Sequence, residues 1–230
     1  MVDDSKNLKD KIFAFRGLAM IGSADIIGAI ITGIFWLAIA SFLEVEEYGE
    51  LHYFLGVAGV AYVIVLIATQ HTVTVYAAKK VNIISTLFFL SILAGVAAAL
   101  IVFIIFNQLD VSLLLIAYVL NEMSLGFLLG KKLFSSYSKY ILTQRTLTFI
   151  LGFGFYFIFG VEGIIFALVL SYVHFLFLVY KGLKNSSINF SALKTHSGFI
   201  INNYVTSMIG GFKGNLDKII IAPLLGFILL

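Results

Sequence analysis

The stretch VNIISTLFFLSILAGVAAALIVFIIF, residues 81–106, decides the fold class of this chain. It contains no charged residue, and its apolar residues do not alternate with polar ones as they would in a half-buried strand. About 20 such residues form a helix long enough to cross the hydrocarbon core of a bilayer. We therefore predict that this stretch is a membrane-spanning helix.

The composition extends this prediction to the whole chain. Hydrophobic residues make up 61% of the 230 residues, charged residues 12%, and the mean hydropathy is +1.06. Soluble domains contain roughly 45–50% apolar and about 25% charged residues, so a soluble core is excluded. The other apolar runs lie at about 17–43, 51–76, 111–130, 142–159, 161–180 and 204–230. The sequence therefore predicts an all-α polytopic membrane protein.

The basic residues occupy alternate loops between these runs. They lie before the first run, after the second, between the fourth and fifth, and after the sixth, and only Lys213 and Lys218 fall elsewhere. The intervening loops contain acidic residues instead: Glu44, Glu46, Glu47, Glu50, Asp110 and Glu162. Because loops rich in Lys and Arg stay in the cytoplasm, we predict a cytoplasmic N-terminus and a multi-pass protein of the cytoplasmic membrane.

Several function classes find no support in the sequence. The absence of Cys excludes disulfides and cysteine-based metal sites, and we expect no metal and no cofactor. No Walker A, HExxH or Rossmann glycine pattern occurs. The basic residues follow the topology rule, so we expect no nucleic-acid partner. The outer loops of a few residues leave no room for a soluble catalytic surface, so we do not expect an enzyme.

Ionisable residues inside the runs are candidates for function, because charge at membrane depth is costly. Asp25 lies in the first run and Glu122 near the middle of the fourth. Each also has a structural interpretation, namely a hydrogen bond to a neighbouring helix. Arg145 is expected to extend to the headgroups. His71 and His174 are more often interfacial histidines than proton relays.

The seventh run carries a polar stripe. At 100° per residue, one helix face contains small and polar side chains: Asn202, Asn203, Thr206, Gly210, Lys213 and Asp217. Lys213 and Asp217 are four residues apart and can neutralise each other. Such a face suits a wet cavity or a packed polar interface rather than lipid. In the alternative, the membrane part begins only at Ile219.

Three stretches carry a resemblance to a known family. They are FLEVEEYGEL (42–51), GVEGIIFALVLSY (160–172) and NLDKIIIAPLLGF (215–227). Together they resemble the N-terminal half of the polysaccharide flippases in the MOP (MATE-like) exporter superfamily. The resemblance implies two six-helix lobes and an N-terminus in the cytoplasm. Residues 1–181 would form the first lobe, 182–200 a cytoplasmic connector, and 201–230 the first helix of an incomplete second lobe.

The resemblance also implies a function. It predicts a flippase that moves polyprenyl-phosphate-linked oligosaccharide across the membrane for polysaccharide biosynthesis, with this chain as an N-terminal fragment. We then expect Lys213, Asn203 and Thr206 to bind the lipid-linked oligosaccharide. Asp217, Glu122 and Asp25 are the candidates for coupling to H⁺ or Na⁺. The partners would be this substrate and membrane lipids.

Alternative functions stay open at this point. A MATE-type cation or drug antiporter shares the architecture and would favour an acidic rather than a cationic cavity. A non-transporting scaffold for other membrane subunits also fits the chain. A membrane glycosyltransferase or glycan polymerase is the enzymatic alternative, which the short outer loops disfavour.

Overall fold

A computed structural model describes residues 2–216, 218 and 219, with side chains from Phe15 onward. Within this part of the chain the regular elements are all helices, which confirms the predicted all-α class. They are α1 (Val2–Phe42), α2 (Val45–Val65), α3 (Gln70–Ala78), α4 (Ile84–Phe106), α5 (Leu109–Gly130), α6 (Phe134–Phe159), α7 (Val161–Ser171), a 3₁₀ turn (Val173–Phe175), α8 (Leu176–Leu183), α9 (Phe190–Thr195) and α10 (Ser197–Lys213).

Six segments of the described chain are long and apolar enough to cross a membrane. They are Phe15–Phe42, Val45–Val65, Ile84–Phe106, Leu109–Gly130, Phe134–Phe159 and Val161–Leu183. The predicted polytopic architecture is therefore confirmed for the first six apolar runs. The seventh run is described only as far as Ile219.

The central helix of the bundle is α5. It packs against α2, α3, α4, α6, α7 and α8, and most of its apolar segment is buried. The first helix lies at the edge, where it packs along α6. Its other face leaves Leu37 76% and Ile30 57% exposed, as expected for side chains that meet lipid rather than protein.

The second apolar run is not one helix, contrary to the prediction for 51–76. The helix ends at Val65 and restarts at Gln70. The Ala68 N–H donates to the Ser91 hydroxyl of α4 at 2.8 Å, and the Thr69 hydroxyl caps α3 by accepting from the Thr72 N–H. A break at membrane depth is tolerated here because neighbouring hydroxyls satisfy the freed backbone groups.

The sixth run is interrupted as well, at the 3₁₀ turn that follows Ser171. The Ser171 hydroxyl accepts from Gln144 at 3.3 Å and from Thr148 at 2.9 Å, both on α6. All three side chains are buried. This buried network links α6 to the end of α7, where the helix changes to the tighter turn.

The connector after α8 is anchored to the start of α4. The Ser85 hydroxyl donates to the Gly182 carbonyl at 3.0 Å and accepts from the Ser186 N–H at 2.9 Å. The Thr86 hydroxyl accepts from the Asn189 N–H at 2.8 Å. The predicted connector 182–200 therefore begins as a fixed segment, and α10 already starts within its range, at Ser197.

Charge separates the two ends of the bundle. The acidic end contains a cavity of about 470 Å³ to which Glu47, Glu50, Asp110 and Glu162 contribute. The opposite, basic end carries Arg16 and the Lys residues that follow α3, α5 and α8. The predicted alternation of acidic and basic loops thus corresponds to two distinct ends.

Two lysine pairs, Lys79–Lys80 after α3 and Lys131–Lys132 after α5, terminate their helices in the same way. Lys80 after α3 and Lys132 after α5 have left-handed backbones, with φ of 54° and 57°. The Lys132 N–H bonds the Leu129 carbonyl, and the next N–H, that of Leu133, bonds the Leu128 carbonyl. This is the Schellman arrangement, in which glycine is the usual left-handed residue. A lysine there costs on the order of 1 kcal/mol relative to glycine.

Cysteine labelling tests the predicted orientation. Ser187 and Glu46 are exposed at opposite ends of the bundle. Because the chain has no native Cys, single Ser187→Cys and Glu46→Cys variants give no background. In intact cells, an impermeant maleimide should label Glu46→Cys and leave Ser187→Cys unmodified until the membrane is permeabilised. The reverse pattern would place the N-terminus outside.

Candidate functional site

Two adjoining cavities lie within the bundle, between α2, α3, α5 and the α10 segment. The larger has a volume of about 480 Å³ and the smaller about 300 Å³. Tyr62 of α2 and Glu122 of α5 line both cavities. We refer to the two cavities together as the cleft, and Glu122 lies at its centre.

The position of α3 beside Glu122 depends on two glycines of α5. A Cβ on Gly126 would lie 2.6 Å from the Gln70 carbonyl oxygen, and one on Gly130 would lie 2.6 Å from the Thr74 carbonyl oxygen. Only glycine allows the two backbones to approach this closely. The Thr74 hydroxyl also donates to the Gly126 carbonyl at 3.2 Å. The start of α3 is thereby held against α5.

This packing creates the wall of the larger cavity. Its polar lining comes from the α2–α3 break, α3, α5 and α10: Thr69, Gln70, His71, Thr74, Glu122 and Ser207. Glu122 is the only carboxylate among the described residues that line it, and neither Lys nor Arg is among them. The predicted functional residue Glu122 therefore lies in a cavity of mixed polar and apolar lining, within a helix long and apolar enough to cross a membrane.

The Glu122 side chain has no protein partner in the described part of the chain. No residue there forms a hydrogen bond or an ion pair with its carboxyl group, although Tyr62 and Tyr137 lie close enough to interact with it electrostatically. The structural interpretation of Glu122, an interhelical hydrogen bond, is not what this geometry shows. The carboxyl oxygens remain available to water, an ion or a substrate in the cleft.

Asp25 lies elsewhere, on the side of the bundle formed by α1 and α6. Its carboxylate is exposed and accepts a hydrogen bond from the Tyr137 hydroxyl of α6 at 3.4 Å. This contact is the one expected from its structural interpretation. Arg145 packs its side chain against Gly28 on the same side. Coupling through Asp25 stays a prediction.

The two histidines have different surroundings. His71 lines the larger cavity, and its ring lies 6.1 Å from that of Phe199 on α10. His174, in the 3₁₀ turn, contacts the Tyr140 carbonyl oxygen through Nε2 at 3.2 Å. His174 thus fits the interfacial interpretation, whereas His71 belongs to the cleft.

Most of the polar stripe of α10 faces away from the cleft, although Gly210 at its edge lines the larger cavity. Asn203 and Thr206 hydrogen-bond to backbone carbonyls of their own helix, and the Lys213 side chain is exposed. The inward face of α10 instead carries Tyr204, Ser207 and Gly211. The two faces are roughly 120° apart around the helix. Substrate binding by Lys213, Asn203 and Thr206 stays a prediction.

The stripe also does not continue as one helix. A turn at Gly214 and Asn215 follows Lys213. Asp217, which the sequence places on the same stripe, lies outside the described residues.

The smaller cavity contains residues that the sequence analysis did not select. Its lining combines aromatic, amide and charged side chains: Trp36, His52, Tyr62, Tyr118, Asn121, Glu122, Asn215 and Lys218. The rings of Trp36 and His52 lie 5.0 Å apart, and those of Tyr62 and Tyr118 lie 5.4 Å apart. Among its described lining residues, Lys218 is the one lysine, and no arginine is present.

Two glycines of α2 admit the segment that follows α10. A Cβ on Gly56 would lie 3.0 Å from Lys218 Cβ, and one on Gly59 would overlap the Asn215 side chain. The glycines in GVAGV, residues 56–60, were the available sequence signal for this approach. Their spacing of three did not match the familiar spacing of four.

The chemistry of the two cavities differs. In the smaller one, aromatic faces can pack against the C–H faces of sugar rings, while amides and the carboxylate bind hydroxyl groups. Lys218 can pair with a phosphate. The larger cavity offers a carboxylate, hydroxyls and an imidazole, which can bind a cation or exchange protons.

Comparison of the chain with protein-family models, curated proteins and solved structures finds no match. The functional conclusion therefore depends on the cleft and on the sequence motifs quoted above.

Proposed function

We propose that this chain is part of a flippase that moves polyprenyl-phosphate-linked oligosaccharide across the cytoplasmic membrane. The observation that carries the proposal is the cleft, which lies between helices long and apolar enough to span a membrane and the α10 segment, and whose lining includes Glu122 and other polar side chains. Polar cavities between membrane helices are typical of substrate pathways in transporters. The family resemblance supplies the substrate class.

The smaller cavity suits the head group of such a substrate. The sugar rings would lie against Trp36 and Tyr118, with Asn121 and Asn215 bonding their hydroxyls. The phosphate would pair with Lys218, while the polyprenyl chain stays in the bilayer. In a cavity of low dielectric constant, this charge pairing is stronger than in water.

In this proposal, transport would involve movement of α10 relative to the first six spans. The α10 helix packs against α2 and α3, and its Gly211 meets the Val63 side chain of α2. An interface built on glycine and a few side chains suits rocking of one unit against the other. Glu122 would bind the coupling ion, H⁺ or Na⁺, in the same cleft.

A second candidate function has its own supporting observation. The larger cavity contains Glu122 and, among its described lining residues, neither Lys nor Arg. An acidic cavity of this kind suits an organic cation, as in a MATE-type antiporter. Substrate preference distinguishes the two candidates.

A reconstitution assay tests the flippase proposal. The product of the complete gene, in vesicles with fluorescent lipid-linked oligosaccharide, should expose the label to an outside quencher faster than empty vesicles do. Exchange of organic cations without lipid flipping would favour the antiporter. If well-folded protein shows neither lipid flipping nor cation exchange, the scaffold function is favoured.

A pair of lysine variants tests the proposed phosphate contact. Lys218→Ala should slow flipping about 10- to 100-fold, since hydrogen bonds to charged groups contribute roughly 1.5–3 kcal/mol. Lys213→Ala removes a lysine from the exposed face of α10 and tests the alternative contact that the sequence predicts; if the phosphate pairs with Lys218, this variant should flip substrate at close to the wild-type rate. If Lys213→Ala slows flipping and Lys218→Ala does not, the phosphate binds at the predicted stripe instead.

A further inference from the structure

A separate groove lies at the basic end, between residues 16–20 of α1 and the start of α6. Its volume is about 330 Å³, and it is distinct from the cleft. The groove is lined by charged, hydroxyl and apolar side chains, among them Arg16, Lys132, Ser135, Ser136, Met20 and Leu133. The described lining residues include two basic side chains, Arg16 and Lys132, and no acidic one.

Contacts between the two helices fix the floor of the groove. The Ser138 hydroxyl of α6 donates to the Met20 carbonyl of α1 at 2.9 Å. Three residues before Met20, Gly17 packs directly against the Phe134 ring, where a Cβ would overlap it. The helices are therefore held together below the basic residues, and the groove is a feature of the packed structure.

The backbone at Lys132 supports a role for its side chain. Lys132 occupies the left-handed position of a Schellman motif, with φ of 57°, although glycine is favoured there. A side chain carried at a strained backbone position is a reason to look for a function of that side chain. Here the side chain lines a groove that also contains Arg16.

The surroundings of the groove are apolar and open towards lipid. Phe15 is 76% exposed, Leu18 68% and Leu133 46%. These side chains lie next to the basic residues in sequence, at the ends of predicted spans, where phospholipid head groups are found. A ligand here would meet cations and hydroxyls at one end and apolar side chains at the other.

We propose that this groove binds an anionic phospholipid, with its phosphate between Arg16 and Lys132 and its acyl chains along the exposed faces of α1 and α6. Basic pockets between membrane helices favour such head groups, and each Lys or Arg near the membrane surface contributes about a fivefold gain in affinity. The Ser135 and Ser136 hydroxyls can donate to the phosphate oxygens. The proposal does not depend on the function proposed for the cleft.

Native mass spectrometry of the purified chain can measure this binding. Dioleoylphosphatidylglycerol is titrated in detergent against dioleoylphosphatidylcholine, which has the same acyl chains and no net charge. We expect preferential retention of phosphatidylglycerol. Lys132→Gly should weaken its binding about fivefold, and Arg16→Gln combined with Lys132→Gly about 20-fold.

The structure provides a matched control in Lys80. It has the same left-handed backbone in the same motif, and it is not among the described residues that line the groove. Lys80→Gly should leave phosphatidylglycerol binding unchanged. Both glycine variants should unfold at or above the wild-type temperature, because each removes a strained side-chain position. A loss of lipid binding therefore cannot be attributed to misfolding.

Three outcomes would overturn the proposal. An equal loss in Lys80→Gly and Lys132→Gly would mean that general surface charge holds the lipid. Displacement of phosphatidylglycerol by an equal concentration of inorganic phosphate would mean that the groove binds the anion alone. Retention of undecaprenyl phosphate without any retention of phosphatidylglycerol would assign the groove to a polyprenyl lipid.

Discussion

Replacing Gly126 with valine should destabilise the protein by about 3 kcal/mol or more, which is a large part of the stability of most folded proteins. A Cβ at this position would lie 2.6 Å from the Gln70 carbonyl oxygen and 3.1 Å from the Gln70 Cα. Both are backbone atoms, so the α3 helix would have to move away from α5. The two further carbons of valine increase the required movement.

The measurement is the yield of monodisperse protein and its thermal unfolding temperature in detergent. Gly154→Val is the matched control, because it also places valine inside a helix but a Cβ there meets nothing within 4 Å. Gly154→Val should fold as well as the wild type or better, since valine has the higher helix propensity. Equal stability of the two variants would contradict the close approach of α3 and α5.

Glu122 is expected to be dispensable for folding and essential for ion-dependent transport. Its carboxyl group has no hydrogen-bond or ion-pair partner among the described residues, and it faces both cavities. Removing it leaves no described group unsatisfied and spares the cost of burying a charge. Glu122→Gln and Glu122→Leu should therefore both reach the membrane at wild-type yield.

Transport should fall by up to about 100-fold in both variants, because neither side chain can carry the charge that binds an ion. Glu46→Gln, which neutralises an exposed carboxylate at the acidic end, is the control and should transport normally. Membrane yield and ion-driven flipping are measured in the same vesicles. A different outcome would restore the structural interpretation of a hydrogen-bonded carboxyl. In that case Glu122→Gln would show normal yield and unchanged transport, and Glu122→Leu would show poor yield.

Composition and run length were sufficient for the architecture. Of the seven apolar runs read from the sequence, the first six correspond to the six candidate spans in the described part of the chain. The alternation of acidic and basic loops predicts the two charged ends, and Glu47, Asp110 and Glu162 do meet in one cavity. These features depend on hydropathy and on chain order, and both are local properties that can be read directly from the residues.

The breaks within the runs could not be predicted in the same way. The stretch 51–76 is continuously apolar enough for one helix, yet it ends at Val65 because Ser91 of another helix satisfies the Ala68 N–H. The partner is 23 residues away along the chain. Periodicity within a segment contains no information about such a partner.

The candidate site, too, could be predicted from the sequence only in part. Glu122 could be selected from sequence alone, because a carboxylate in the middle of an apolar run is costly wherever it packs. The helical wheel of the last run, however, shows only that one face of α10 is polar. The structure directs Ser207 and Gly211 inward and leaves Lys213 exposed.

By itself, then, the sequence determined the all-α polytopic class, the number of spans in residues 15–183, the two charged ends and the functional candidate Glu122. Tertiary structure alone decided that α3 begins at Gln70, which face of α10 meets α2, and that Lys218 and Asn215 share a cavity with Glu122. The physical reason is the reach of the interactions. Hydropathy acts on each segment separately, whereas glycine-mediated approach and hydrogen bonds between helices depend on residues far apart in the chain.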